Sequence, residues 1–200
     1  MRWLVAALVL VALTIAVFAR GLRGVAVDVT VADDAAVRWL GGLNAPGLVG
    51  IWRGLAVLSS WWALLGLVWG LVLALVVLRR FRHLIVWVIV ASLVQVVGAV
   101  LAAIAHRPRP FGVEIRMDWG GWALPSLQVM LLTAGLVAIL YTLVPEGRWR
   151  NTGKWVVTAL VTLTAIGRMA LGADGPTDVV VGAALGVTIP LLAYRWFAPN

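Results

Sequence analysis

Residues 155–197 read WVVTALVTLTAIGRMALGADGPTDVVVGAALGVTIPLLAYRWF. Two apolar runs, Trp155–Leu171 and Thr177–Phe197, flank a short turn that carries Asp174 and Pro176. At 1.5 Å per residue, each run is long enough to cross a hydrocarbon core of about 30 Å. Backbone amides have no water partners in lipid, so each run is predicted to be a helix. Arg168, Asp174 and Asp178 sit where the two runs meet. Ionisable groups at membrane depth are costly, and they usually pair with one another or serve a site. The stretch therefore predicts two membrane helices with a polar cluster at their junction.

The same pattern extends outward along the chain. Four further apolar runs occur at Trp3–Ala19, Leu55–Leu78, Leu84–Ala105 and Ala123–Val144. The expected fold is all-α, a six-helix transmembrane bundle forming a single membrane domain over residues 1–200. Composition agrees. The chain is 63% hydrophobic with a mean hydropathy of +1.04, and charged residues make up only 12%. A soluble domain carries about twice that charge. The first run has a rival reading as a signal peptide, since Arg2 precedes it and Val17 and Ala19 follow a cleavage-like pattern.

Several function classes are excluded or disfavoured. With no cysteine in the chain, disulfides, thiol catalysis and cysteine metal sites are ruled out. No metal or other cofactor is expected. The formal charge is +8, but the basic residues lie in short loops between apolar runs. That distribution argues against nucleic acid and for anionic lipid head groups as partners. All basic residues but Lys154 are Arg, a usage that suggests a GC-rich, bacterial genome.

Loop charge sets the expected orientation. With the N-terminus inside, Arg2, Arg79, Arg80, Arg82, Arg148, Arg150, Lys154 and Arg195 fall inside, opposed only by Glu146. The other eight basic residues fall outside beside seven of the eight acids. Dense arginine in short inside loops follows the positive-inside rule. The expectation is a plasma (inner) membrane protein with both termini cytoplasmic and the polar cluster on the outer face. Trp3, Trp52, Trp119, Trp122, Trp149, Trp155 and Trp196 lie near the span ends, as an aromatic belt requires.

Smaller features follow. Val25, Val27, Val29 and Val31 alternate, which predicts an extended segment. Asp33 then reads as a helix N-cap before Val37, Leu40 and Leu43, either a short surface helix or a solvated linker. Gly66/Gly70 and Gly182/Gly186 both match GxxxG and predict close helix contacts. Pro190 predicts a bend in the sixth helix, and Gln95 a hydrogen bond to a neighbouring helix.

Three polar clusters fall on one face of this topology. They are His106-Arg107-Pro108-Arg109-Pro110, Pro125-Ser126-Leu127-Gln128, and Gly167-Arg168 with Asp174 and Asp178. Their spacing and order resemble the type 2 phosphatidic acid phosphatase family, relatives of the vanadium haloperoxidases. Arg109-Pro110 matches the end of the family's first motif, Pro125-Ser126 the start of the second, and Arg168 with Asp178 the third. The resemblance implies a bundle of the phosphatidic acid phosphatase type. It also implies that Arg109 and Arg168 hold the oxygens of a lipid phosphate; Arg107, Ser126 and Gln128 are further candidate substrate-binding residues beside them.

The departures matter as much. The motif lysine position holds Ala102, and the second-motif Gly and His positions hold Leu127 and Gln128. The third-motif Ser and His positions hold Gly167 and Asp174. In the family, one of those histidines attacks phosphorus and the other protonates the leaving alcohol. Gln128 has no proton to give as an acid. Asp174 cannot form a phosphohistidine, although a carboxylate can itself attack phosphorus. His106 is the one histidine nearby that could replace a lost one.

Three readings stay open at this point. Arg109 and Arg168 pair with Asp174 and Asp178 as structural ion pairs; the site binds a lipid phosphate without turnover; or Asp174 and Asp178 are catalytic in an altered hydrolysis of a lipid phosphate or polyprenyl pyrophosphate. The preferred expectation is a non-catalytic structural or lipid-phosphate-binding module, a pseudoenzyme of the lipid phosphatase superfamily. The chain stops soon after the sixth run, which is compatible with the membrane portion of a longer protein with a protein or domain partner on the inner side.

Overall fold

The computed structural model describes residues 5, 9, 12–14, 16, 17, 23–110 and 121–197. Every regular element among them is helical. Among the described residues from 23 onward, seven helices run in order: α1 (Arg23–Gly42), α2 (Pro46–Val57), α3 (Trp61–Val77), α4 (Phe81–Ala105), α5 (Leu127–Leu143), α6 (Arg148–Ala170) and α7 (Pro176–Phe197). The first predicted run, Trp3–Ala19, lies largely outside the described residues, as do Trp3 and Trp119. The other five predicted runs are found as α3 to α7.

Their ends shift for local reasons. The second run was expected to begin at Leu55, inside what is now α2. The chain breaks helix at 58–60 instead, and Ser60 caps α3 by accepting a hydrogen bond from the Ala63 N–H at 3.3 Å. α6 starts at Arg148 rather than Trp155, because the helix continues through the polar segment Arg148–Lys154, which apolar patterning does not detect. The stretch Gly47–Val77, α4 and α7 are long and apolar enough to cross a membrane, and α5 is a shorter apolar helix. The chain is a membrane protein.

α5 is the hub, packing against α3, α4, α6 and α7. Val129 to Gly135 are all buried in succession, so this helix is enclosed around its circumference. In contrast, α3 and α4 turn Trp62, Trp69, Leu73, Val77, Ile85 and Val88 outward. Apolar side chains there suit a hydrocarbon surround, where water would not drive their burial.

The two GxxxG patterns part company. A Cβ on Gly182 would meet the Ser126 carbonyl oxygen at 2.6 Å, and one on Gly186 the Met130 carbonyl oxygen at 2.5 Å. These glycines let α7 lie directly against the backbone of α5. Among the described residues, a Cβ on Gly66 or Gly70 meets nothing within 4 Å, so the expected close contact is not found there.

The N-terminal loop is also corrected. Residues 25–31 form no extended segment, and Asp33 is not an N-cap. Both lie inside the helix α1. β-branched alternation is a weak preference that tertiary packing overrides. α1 packs against α6 and α7, with Val37 fully buried. It is therefore neither a free surface helix nor a linker.

Candidate anion site

The three polar clusters converge at one end of the bundle. α4 stops at Ala105, and His106 takes a left-handed conformation, φ 44°. This turn sends Arg107 into the interior. His106 stays exposed and packs edge-on against Trp122, with ring centroids 5.1 Å apart. The Arg107 carbonyl accepts from the Ala123 N–H at 3.0 Å, and the Ser126 N–H donates to the Asp178 carbonyl at 3.0 Å. Ser126 is thereby pinned to the start of α7, at the place where Gly182 permits close approach.

The turn between α6 and α7 delivers the carboxylates. The Ala173 N–H donates to the Arg168 carbonyl, and Gly172 adopts φ 73°, which suits a residue without a side chain. This folds Asp174 back over the end of α6. The Gly175 N–H donates to Asp178 Oδ2 at 2.7 Å, which ties the two acids into one turn.

Asp174 is fully buried and surrounded by donors. Its Oδ2 accepts from Arg168 Nε at 2.5 Å and from the Ser126 hydroxyl at 2.7 Å. Its Oδ1 accepts from Arg109 Nη1 at 3.0 Å. Arg109 also donates to the Ala173 carbonyl. Arg168, likewise fully buried, extends Nη1 to the Ser59 hydroxyl and Nη2 to Gln128 Oε1, both at 3.3 Å. The Ser59 hydroxyl donates in turn to the Ala56 carbonyl at 3.0 Å. The helix break at 58–60 therefore positions a hydroxyl under Arg168.

A second cell adjoins the first. Arg107 donates to Asp178 Oδ1 at 2.8 Å and to Asp33 Oδ2 at 2.7 Å. Asp33 also accepts from the Thr177 N–H at 3.2 Å and the Thr177 hydroxyl at 3.1 Å. Three arginines and three aspartates thus share one buried region, and their formal charges cancel. Each charge here has lost its water, so each depends on these partners.

All seven residues singled out from the sequence come together: Arg107, Arg109, Ser126, Gln128, Arg168, Asp174 and Asp178. The pairing differs from the expected one. Arg109 and Arg168 both hold Asp174, while Asp178 belongs to Arg107. Sequence reasoning missed Asp33, Ser59 and Thr177. An acid within an otherwise apolar-faced segment was the available signal for Asp33. Ser59 carried none beyond its place in an apolar run. Among the described residues, no group of His, Cys, Asp and Glu gathers as a metal site would.

Arginine guanidinium and hydroxyl donors around a point are the chemistry of an oxyanion site. Here the oxyanion at that point is the carboxylate of Asp174. Comparison with known proteins gives this arrangement a context. The sequence model of the PAP2 superfamily matches residues 82–200. The fold is similar to the crystal structure of the first transmembrane PAP2 type phosphatidylglycerolphosphate phosphatase from Bacillus subtilis, with TM-score 0.83, 20% identity and coverage of 98% of this chain and 96% of that one. It is also similar to LpxE from Aquifex aeolicus, with TM-score 0.66, 19% identity and coverage of 80% and 93%. No curated protein matches it by sequence.

Proposed function

Because the chain belongs to the PAP2 superfamily, whose architecture it shares, we propose that it is a non-catalytic membrane module in which Asp174 fills the phosphate-binding position. The observation that carries this reading is the set of bonds on Asp174. Arg109 and Arg168, which the family resemblance assigns to the phosphoryl oxygens, and the candidate binding residue Ser126 all donate to this one carboxylate. A phosphate entering the same space would meet a buried anion at contact distance, and like charges repel strongly where water is excluded. Gln128 supplies no acid, and its Oε1 is turned to Arg168.

Hydrolysis through Asp174 as nucleophile is the alternative. It needs a carboxylate oxygen aimed at phosphorus. Oδ1 is held by Arg109 and Oδ2 by Arg168 and Ser126, which weakens that reading. The retained frame suits a scaffold that holds lipids or a partner protein in a membrane. Positive-inside charge supports an outer position for the Asp174 cluster, with cytoplasmic termini in the plasma membrane.

The test is phosphate release by the purified, reconstituted protein. Phosphatidylglycerol phosphate, phosphatidic acid and a polyprenyl pyrophosphate serve as substrates. The expected result is no release above a protein-free control. Asp174→Ala should then expose the arginines and create binding of vanadate or inorganic phosphate that the wild type lacks. Turnover by the wild type that disappears in Asp174→Asn would overturn the proposal in favour of altered catalysis.

A further inference from the structure

The opposite end of the bundle holds a second concentration of arginine, built on different terms. A cavity of about 270 Å³ opens there, lined by Arg80, Tyr141, Val144, Pro145, Glu146 and Arg150. It lies between the C-terminus of α5 and the first turn of α6. Drug-sized ligands occupy pockets of about 300–1,000 Å³, so this one suits a head group rather than a whole lipid.

Its walls favour an anion. Arg150 is buried, and its guanidinium lies over the Tyr141 ring at 5.2 Å. It donates to the Val144 carbonyl at 2.9 Å and to Glu146 Oε1 at 2.7 Å. Arg80 donates to the Thr142 carbonyl from the other side. Both arginines are therefore fixed in place by the carbonyl end of α5. Glu146 is the one acid lining the cavity, and its side chain is 74% exposed, so it sits on the rim. Arg79 and Arg82 neighbour Arg80 in the chain, and Arg148 and Lys154 neighbour Arg150 on α6. Arg148, Arg150 and Lys154 crowd the start of α6, whose first turn holds no acid. Cations at that positive end of a helix oppose its dipole, so an added anion relieves the arrangement. Trp149 and Trp155 are exposed beside it, as residues at a bilayer interface are.

We propose that this cavity binds the phosphate group of an anionic lipid from the leaflet at that end, in competition with Glu146 for Arg150. Guanidinium donors match phosphate oxygens; Arg150 would turn to the lipid the Nη1 donor that Glu146 now holds, and Arg80 lines the same cavity. The proposal is independent of the reading of the Asp174 cluster and concerns the far end of the molecule.

The experiment measures lipid retention by the full chain in a neutral detergent, using native mass spectrometry. Phosphatidylglycerol, phosphatidylcholine and inorganic phosphate are titrated separately. Phosphatidylglycerol should bind at least about tenfold more tightly than phosphatidylcholine, and Arg80→Gln should remove most of that preference. Glu146→Gln, which removes the competitor on the rim, should tighten phosphatidylglycerol binding. Arg195→Gln, a charge-matched change that is not in the cavity wall, should leave it within twofold of wild type. Equal losses in Arg80→Gln and Arg195→Gln would reduce the effect to diffuse surface charge and overturn the site. Inorganic phosphate competing as well as the lipid would overturn the assignment to a lipid.

Discussion

The two ends of this bundle are both rich in arginine, and they differ in where the carboxylates stand. At the Asp174 end, three arginines meet three aspartates in a largely buried region. At the other end, Arg79, Arg80, Arg82, Arg148, Arg150, Lys154 and Arg195 face a single acid, Glu146, exposed on a rim. Desolvation explains the difference. A buried charge must be neutralised by a fixed partner, whereas cations at a wet interface are screened and tolerate one another. Counting arginines therefore does not identify an anion site. At the end that resembles one by sequence, Arg109 and Arg168 are held by Asp174, whereas the end read as a charged loop carries a cavity lined by Arg80 and Arg150.

The sharpest way to break this contrast is to remove Arg168. It is fully buried and serves Asp174, Ser59 and Gln128 at once. Arg168→Ala should destabilise the fold by about 3–5 kcal/mol, because Asp174 keeps its charge and loses its strongest donor. Reversible unfolding in mixed detergent micelles measures this. A loss under about 1 kcal/mol would mean that Asp174 is neutral or hydrated, and the closed-pocket account would fail.

Backbone contact comes next in size. Gly182→Ala would drive a methyl into the Ser126 carbonyl, which has no room to yield without separating α5 from α7. The expected cost is about 1–3 kcal/mol, the range for overpacking. Since Ser126 also bonds Asp174, the loss should be accompanied by a looser charge cluster. Gly66→Ala, in the pattern that meets no described residue within 4 Å, should be neutral or slightly stabilising through helix propensity. The pair is a controlled comparison, since both positions satisfy the same sequence motif.

Asp33 gives the next effect and shows where sequence reading ended. The membrane helices were legible because apolar length has one physical meaning in a bilayer. The convergence of Arg109, Ser126, Arg168 and Asp174 was legible because helix order places those positions on one face. Asp33 was not. A carboxylate before a helical pattern satisfies the local signature of an N-cap, and only the tertiary fold brings it to Arg107 and Thr177. The division of partners was equally hidden, since nothing in the spacing tells Arg107 from Arg109. Asp33→Asn keeps an acceptor for Thr177 but removes the charge facing Arg107, which retains Asp178. A loss of about 1–2 kcal/mol is expected, less than for Arg168→Ala, as one charge-assisted bond is worth. Equality of the two losses would show that the cells are one cooperative network.

The smallest effect belongs to the opposite end and uses the same kind of substitution. Glu146→Gln turns a carboxylate into an amide beside an arginine, as Asp33→Asn does. Glu146 is mostly exposed and pairs with Arg150 one turn along at 2.7 Å. Exposed pairs at this spacing contribute about 0.3–0.5 kcal/mol, and salt screens them. Arg150 keeps the Val144 carbonyl and the Tyr141 ring, so the fold does not depend on Glu146. The expected change in unfolding free energy is at most about 0.5 kcal/mol, shrinking further as salt is raised. A loss of the size expected for Asp33→Asn would place Glu146 inside a closed ion cluster. The two ends would then be alike, and the distinction drawn from their burial would collapse.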